Sequence, residues 1–263
     1  MNILITGAAS GIARATLEYF INNNHIIYAI DINEINIPNV KSFKCDITSE
    51  DDLINVYNYF ISYDIKLDAI INIAGIHMMA SLIESDFDKM KKVIEVNLSG
   101  TMLVNKMFYK FLKEKGRIII VTSEVAAYDP MPFNGLYNIS KTALDTYTQA
   151  LRQELNLRGN KVITIRPGAI ETPLSKGSLT GTKDLVANTV LFENESKHFL
   201  SLVTKFMGKP LNPKIIGKLI YKVTLKKHPK YIYHKHRSLG LLLLNMLPKR
   251  LQCGIIKALL KRK

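Results

Sequence analysis

Six short runs rich in strand-forming residues punctuate the chain, at 2–5, 26–30, 41–45, 68–73, 117–122 and 161–166, and a weaker seventh stands at 231–233. Nearly continuous apolar runs of this length suit strands buried on both faces of a parallel sheet. The stretches between them are long enough for the crossover helix that parallel neighbours require. The pattern therefore predicts an α/β fold: a doubly wound, mostly parallel, seven-stranded sheet with helices on both faces and ligands at the carboxyl ends of its strands. A length of 263 residues suits one large domain, and 47% hydrophobic residues supply its core. There is no internal repeat or low-complexity linker, so residues 1–235 read as a single domain and 236–263 as a basic, apolar helical extension.

The first run passes directly into Thr6-Gly7-Ala8-Ala9-Ser10-Gly11-Ile12-Ala13, and a helical pattern follows. Glycines at such a strand-to-helix turn let the backbone tighten and approach a pyrophosphate, which then sits on the helix N-terminus. Alone this is a weak signal, equally met in ordinary turns. Asp31, at the end of the second run, strengthens it, because a carboxylate there accepts hydrogen bonds from adenosine ribose hydroxyls and repels a 2′-phosphate. Ala9 and Ser10 offer no cation to such a phosphate. NAD is the expected cofactor, with NADP the alternative.

With these residues in view, the chain resembles the short-chain dehydrogenase/reductase family of NAD(P)-binding, Rossmann-fold oxidoreductases. The turn at Thr6, Gly7, Ser10, Gly11 and Ile12 is similar to the family's Thr-Gly-x-x-x-Gly-x-Gly signature, with Ala13 in place of the last glycine. Cys45-Asp46-Ile47 resembles the third-strand end, where the resemblance assigns Asp46 and Ile47 to the adenine. Asn72-Ile73-Ala74-Gly75 resembles Asn-Asn-Ala-Gly, with Asn72 bracing the sheet and Ala74 and Gly75 beside the cofactor. Pro167-Gly168-Ala169-Ile170-Glu171-Thr172 resembles the Pro-Gly-x-x-x-Thr segment. That match puts Pro167, Gly168 and Ile170 along the cofactor and gives Thr172 the nicotinamide carboxamide. The resemblance covers about residues 1 to 235.

The family's Tyr-x-x-x-Lys signature occurs three times, at Tyr109/Lys113, Tyr137/Lys141 and Tyr231/Lys235. Only Tyr137 follows a strand end, 14 residues after Ser123, with a proline-rich stretch between that can fold a helix back over that end. Residues 137 and 141 share a helix face. A phenol is a poor base at neutral pH, and a neighbouring ammonium, like the positive nicotinamide ring, is expected to lower its pKa. Tyr137 is then the acid/base, and Lys141 serves both the phenol and the nicotinamide ribose. Ser123 hydrogen-bonds the substrate oxygen, and Asn97 holds a water in the proton relay. The last two roles are what the resemblance implies.

Residues 174–211 carry no strand pattern and read as a substrate lid, with Leu185, Val186, Leu191, Phe192, Phe199 and Leu200 pointing to an apolar small-molecule substrate. Asn212-Pro213 opens a helix with Lys214, Lys218, Lys222 and Lys226 along one stripe. All 22 acidic residues lie at or before Glu195, whereas 17 of the 36 Lys and Arg lie after it, so the last 68 residues carry +17. Together with the apolar run at 239–247 and the helical Ile255, Ile256, Leu259 and Leu260, this charge suggests contact with an anionic membrane surface through residues 239–263. Packing on the domain or on a partner subunit is the other reading. Nucleic acid is disfavoured for want of any reader motif.

Two distant cysteines and the absence of a basic leader ahead of the first strand point to a cytoplasmic protein, peripheral on a membrane at most. No metal is expected, and homo-oligomerisation is. The leading function is hydride transfer between NAD and a secondary or long-chain apolar alcohol or carbonyl. The alternatives are an NADPH-dependent reductase of small carbonyls and a non-catalytic dinucleotide-binding regulator.

Overall fold

The computed structural model describes residues 1–206 and 210–261. Seven strands form: β1 (Asn2–Thr6), β2 (Ile26–Asp31), β3 (Lys41–Lys44), β4 (Leu67–Asn72), β5 (Leu112–Val121), β6 (Lys161–Pro167) and β7 (Ile232–Lys235). They make one sheet in the order β3-β2-β1-β4-β5-β6-β7, and every pairing is parallel. The order reverses between β1 and β4, which opens a crevice at the carboxyl edge, the place where ligands bind in such sheets.

Side chains alternate across the pleat, and here both faces are apolar. Ile3, Ile5, Ile71, Ile119 and Ile165 face α1 (Gly11–Ile21) and α8 (Pro213–Leu225). Leu4, Ile70, Ile118 and Ile120 face α2 (Glu50–Ser62), α4 (Thr101–Phe108) and α5 (Gly135–Asn156). Each fully buried side chain of this size contributes roughly 1.5–3 kcal/mol. The two faces make the sheet a rigid platform for whatever sits at its edge.

Local signals set the helix ends. Ser49 caps α2 by accepting from the Asp52 N–H at 3.1 Å, and three acids fill the first turn. Asn212 caps α8 by accepting from the Lys214 N–H at 2.9 Å, with Pro213 in the first turn as expected. α8 then crosses α1 so closely that a Cβ on Gly217 would lie 2.8 Å from the Ala15 backbone. Its Lys214, Lys218 and Lys222, and Lys226 just past its end, are all exposed.

After β6 the chain leaves the sheet. The residues expected to form a lid fold as α6 (Pro173–Asn188) and α7 (Glu193–Phe206); the expectation at Gly208 lies outside the described residues. The tail folds as α9 (Leu239–Asn245) and α10 (Lys249–Leu260), and its last two residues also lie outside them. A satellite cluster joins these regions: Phe133, Leu185, Phe199 and Leu260 are buried together, with Ile256 and Phe192 packed against them. The face Ile255, Ile256, Leu259 and Leu260, expected to meet lipid, is thus half-buried or buried, and α10 packs on α7. Ile256 and Leu260 find Phe199, Leu202 and Val203 of α7 within reach, and this packing supplies the stability that so short a helix lacks alone. Among the described residues, no helix is long and apolar enough to cross a membrane.

Candidate active site

The glycine turn is built as a phosphate site would be. Gly7 (φ +74°) and Gly11 (φ +55°) occupy the left-handed region that favours glycine. A Cβ on Gly7 would lie 2.8 Å from the backbone of Ala74, and one on Gly11 would lie 3.2 Å from the Thr172 side chain. The turn is therefore pressed between the ends of β4 and β6. Thr6 locks the arrangement by accepting from the N–H groups of Ile73 and Ala74 at 3.2 and 3.3 Å. Ser10 is exposed at the N-terminus of α1, Ile12 half-buried behind it.

Asp31 ends β2 beside this turn. Its carboxylate accepts from the Ala9 N–H at 3.0 Å and from the Asn33 N–H and Nδ2 at 2.9 and 3.1 Å. Three bonds on a group with about four acceptor sites orient it and leave room for a ribose hydroxyl. Asp46 is less free. Burial tends to raise its pKa, but bonds from Thr48 and the nearby Lys92 outweigh this and hold it below the usual carboxylate range. Ile47 is buried against Gly100, where a Cβ would come within 2.8 Å of it.

Asn72 is buried and donates to Asn105 Oδ1 at 2.8 Å, so it braces β4 against α4 as expected and does not line the crevice with its bonded amide. Pro167 and Ile170 are buried. A Cβ on Gly168 would meet the carbonyl oxygen of His236 at 1.9 Å. Thr172 caps α6, accepting from the Ser175 N–H at 3.3 Å, which leaves its own hydroxyl proton to donate.

The catalytic candidates converge on the carboxyl ends of β4 and β5. Ser123 follows β5; Tyr137 and Lys141 project from the first turns of α5, buried at 9% and 3% exposure. α5 is held over the sheet by Asp145, which accepts from Thr122 Oγ1 at 3.2 Å and Arg166 Nε at 2.9 Å. Asn97 is fully buried in a π-helical turn (Glu95–Gly100) between α3 (Phe87–Ile94) and α4. Such one-turn widenings recur at functional sites. Its amide is spent on Ile76, accepting from N–H at 2.8 Å and donating to the carbonyl at 2.9 Å, and on Ser140 Oγ at 2.9 Å. A Cβ at Gly75 would lie 3.0 Å from Asn97 Oδ1 and 3.3 Å from Lys141 Nζ. Gly75, Asn97 and Lys141 thus meet at one point.

The electrostatics depart from expectation. Burial pushes the Tyr137 phenol up to about 12, and only the bond from Ser123 opposes this. Burial also pushes Lys141 down to about 8. Its Nζ stands 5.9 Å from the Tyr137 ring centre and has one weak acceptor, the Val121 carbonyl at 3.5 Å. Desolvation outweighs the ammonium, so the protein alone does not prepare a phenolate. A bound oxidised nicotinamide supplies the further positive charge that favours one.

Neither rival Tyr-x-x-x-Lys pair takes part. Lys113 pairs with Asp68 at 3.0 Å, and Tyr109 donates to Asn160 at 3.2 Å. Tyr231 lies under the Arg152 guanidinium. A groove of about 870 Å³ between α4 and α5 holds none of the four catalytic candidates. Among the described residues no cluster of His, Cys, Asp and Glu is placed to hold a metal.

Three participants escaped the sequence reading. The His77 ring lies 4.2 Å from that of Tyr137, and burial chiefly, with Lys141 acting in the same direction, pushes its pKa down to about 4. Its position two residues past Gly75 was the only signal. Ser140 sits inside the Tyr-x-x-x-Lys spacing and links Asn97 to α5. Buried Glu124, next to Ser123, accepts from the Ser238 N–H at 2.7 Å and so ties the tail to the catalytic strand.

Known proteins agree with this architecture. The family described as short chain dehydrogenase matches residues 1–182. A 3-amino-tetrahydro-pyrrolizinone reductase from Xenorhabdus hominickii is 31% identical over 198 residues, covering 72% of this chain and 68% of that protein. A 3-ketodihydrosphingosine reductase from Bacteroides thetaiotaomicron is 25% identical over 236 residues, covering 87% of this chain and 85% of that protein. The crystal structure of a short chain dehydrogenase family protein from Francisella tularensis superposes with a TM-score of 0.74 at 24% identity, over 89% of this chain and 96% of that one. The chain belongs to the short-chain dehydrogenase/reductase family. It is an NAD(P)-binding oxidoreductase with a Rossmann-type sheet.

Proposed function

We propose that the protein transfers a hydride between NAD(H) and a secondary alcohol or ketone carried on a long apolar chain. The observation that carries the reading is the convergence of Ser123, Tyr137, Lys141, Asn97 and Gly75 at the sheet edge, beside the glycine turn. A bound nicotinamide would supply the hydride acceptor or donor; Lys141 would hold its ribose, Ser123 would hold the substrate oxygen, and Tyr137 would take up or return the alcohol proton. Asn97, with its amide fixed by Ile76 and Ser140, positions the relay that returns the proton to solvent.

Asp31 supports NAD over NADP, since a 2′-phosphate beside this carboxylate would meet like charge. α6 and α7 act as a lid over residues 131–133, and their Phe192, Phe199 and Leu185 support an apolar substrate. The 3-ketodihydrosphingosine reductase acts, by its name, on a long-chain ketone, in line with that reading. Copies of the chain associate, as is common in the family.

The test pairs each cofactor with 2-dodecanone and with acetone. NADH is expected to bind several-fold tighter than NADPH, and kcat/KM to favour 2-dodecanone at least tenfold, the yield of a few buried methylenes. Asp31→Ala should narrow the cofactor gap. Tighter NADPH binding with acetone preferred would establish the small-carbonyl reductase instead. Tight NADH binding with no turnover of any carbonyl would establish the regulator.

A further inference from the structure

We propose that α9 and the outward side of α10 form a docking surface for an anionic lipid bilayer. α9 reads Leu-Gly-Leu-Leu-Leu-Leu-Asn, yet none of its residues is buried. Leu239, Leu243 and Met246 are 72%, 63% and 74% exposed, and their spacing puts them on one helix face. Leu251, at the start of α10, is 50% exposed. Leu241, Leu242 and Leu244 on the other side of α9 are half-buried, so one contiguous aliphatic face is left open; scattered apolar side chains on a surface are ordinary, a contiguous face is not.

Charge decides what covers it. Arg250, Lys257 and Lys261 are exposed on α10, and no acid follows Glu195 anywhere in the chain. The two acids that reach this region from elsewhere are engaged: Asp129 pairs with Lys249, and Glu124 accepts from the Ser238 N–H. A second copy laid on the same face would bring a second like-charged tail. The cores of protein interfaces are enriched in aromatic side chains and depleted of lysine, whereas this face presents no aromatic residue and is rimmed by lysines. An anionic bilayer satisfies both features: aliphatic side chains enter the acyl boundary while the basic rim stays at the headgroups. Helices of 7 and 12 residues cannot span a bilayer, which needs roughly 20, so they lie in its plane.

The surface is joined to the site. Ser238, the cap of α9, donates its N–H to Glu124, and Asn245 accepts from the Asp129 N–H at 2.6 Å. Both ends of α9 are therefore fastened to the segment between Ser123 and Tyr137. Docking would set that segment at the lipid boundary.

The experiment uses the full chain with sedimenting vesicles of phosphatidylcholine, with and without about a third phosphatidylglycerol. Binding should require the anionic lipid and weaken as salt rises, because surface charge is screened over about 8 Å at physiological ionic strength. Leu243→Asp and Met246→Asp, both exposed, should lower partitioning at least tenfold without changing thermal stability or NADH binding. Arg250→Glu should lower it about fivefold for each unit of charge reversed. Full-length protein that stays in the supernatant with anionic vesicles at low salt overturns the proposal. So does binding that the aspartate variants leave intact. If Leu243→Asp instead splits an oligomer in sedimentation velocity while vesicle binding is absent, the face is a subunit contact and the proposal fails.

Discussion

The chain divides at Thr172 into a region built around the sheet and a region added beside it, and the two pack to different depths. Before it, nearly every large apolar side chain on the sheet is fully buried, and the polar residues of the site are held in reciprocal bonds, as Asn97 is by Ile76 and Ser140. After it, α8 and β7 complete the sheet, but the lid and tail share only a small satellite cluster and leave Val190, Leu191, Leu239, Leu243 and Met246 well exposed. The core and site of the first region are complete within the chain, although its surface still exposes Ile83, Phe87 and Leu157. The second is finished only when something else meets it: substrate under the lid and, on the proposal above, lipid under α9. The difference separates a site held by buried reciprocal bonds, as close positioning of reacting groups demands, from a region whose apolar side chains are left for a ligand to cover.

The largest effect expected from breaking this division lies at Tyr137. Tyr137→Phe removes only the acid/base hydroxyl from a side chain already packed between His77 and Lys141. Turnover should fall by about 10²–10⁴-fold with NADH affinity nearly unchanged. The same change at Tyr109 or Tyr231 should leave rates untouched. A Tyr137→Phe enzyme that keeps more than about a tenth of its rate would move the proton transfer elsewhere.

Next comes a matched pair of cavities. Phe20 is fully buried between α1 and α8, edge-on to Tyr221 at 5.1 Å. Phe199 is 3% exposed in the satellite cluster, edge-on to Phe133 at 5.3 Å. Phe20→Ala should lower global stability by roughly 3–5 kcal/mol in denaturant. Phe199→Ala should lower it by less than half of that, while proteolysis within 173–206 accelerates, because the lid opens locally at less than the global cost. Equal losses in the two variants would show that lid and sheet unfold as one unit.

Legibility in the sequence follows the same division. The strands could be read because burial on both faces writes a continuous apolar run, and the family motifs could be read because glycine at Gly7 and Gly11 answers to backbone geometry. Position after a strand end separated Tyr137 from its two rivals. What could not be read depends on contacts distant in sequence. Nothing near Ile255, Ile256, Leu259 and Leu260 says that α7 will take that face, and an amphipathic stripe looks the same whether lipid or protein covers it. His77 beside Tyr137, and Glu124 beneath Ser238, are likewise products of packing. The depressed phenol expected from a neighbouring lysine failed because spacing gives proximity but not the depth of burial, and burial prevailed for both groups.

The sharpest test of the division concerns Lys141. It is a buried ammonium without a carboxylate partner, and burial alone takes its pKa from 10.5 to about 8. A base whose folded pKa lies below its unfolded value destabilises the fold by an amount fully present below pH 8. That penalty declines as pH rises from about 8 to 10.5, since the folded state has released the proton and the unfolded state still holds it. Lys141→Met should therefore raise stability near pH 7, by roughly 3 kcal/mol given about 1.4 kcal/mol per pKa unit, while abolishing useful turnover. Filling the site with an apolar side chain also contributes, but that part does not vary with pH. The decisive readout is the stability difference between variant and wild type in denaturant at pH 7 and pH 10. It should shrink at the higher pH for Lys141→Met. It should stay flat for Lys218→Met on the exposed stripe of α8, where the ammonium is already in water. A difference that does not change with pH at Lys141 would mean that the folded protein holds the ammonium as firmly as the unfolded chain does, so that burial does not lower its pKa.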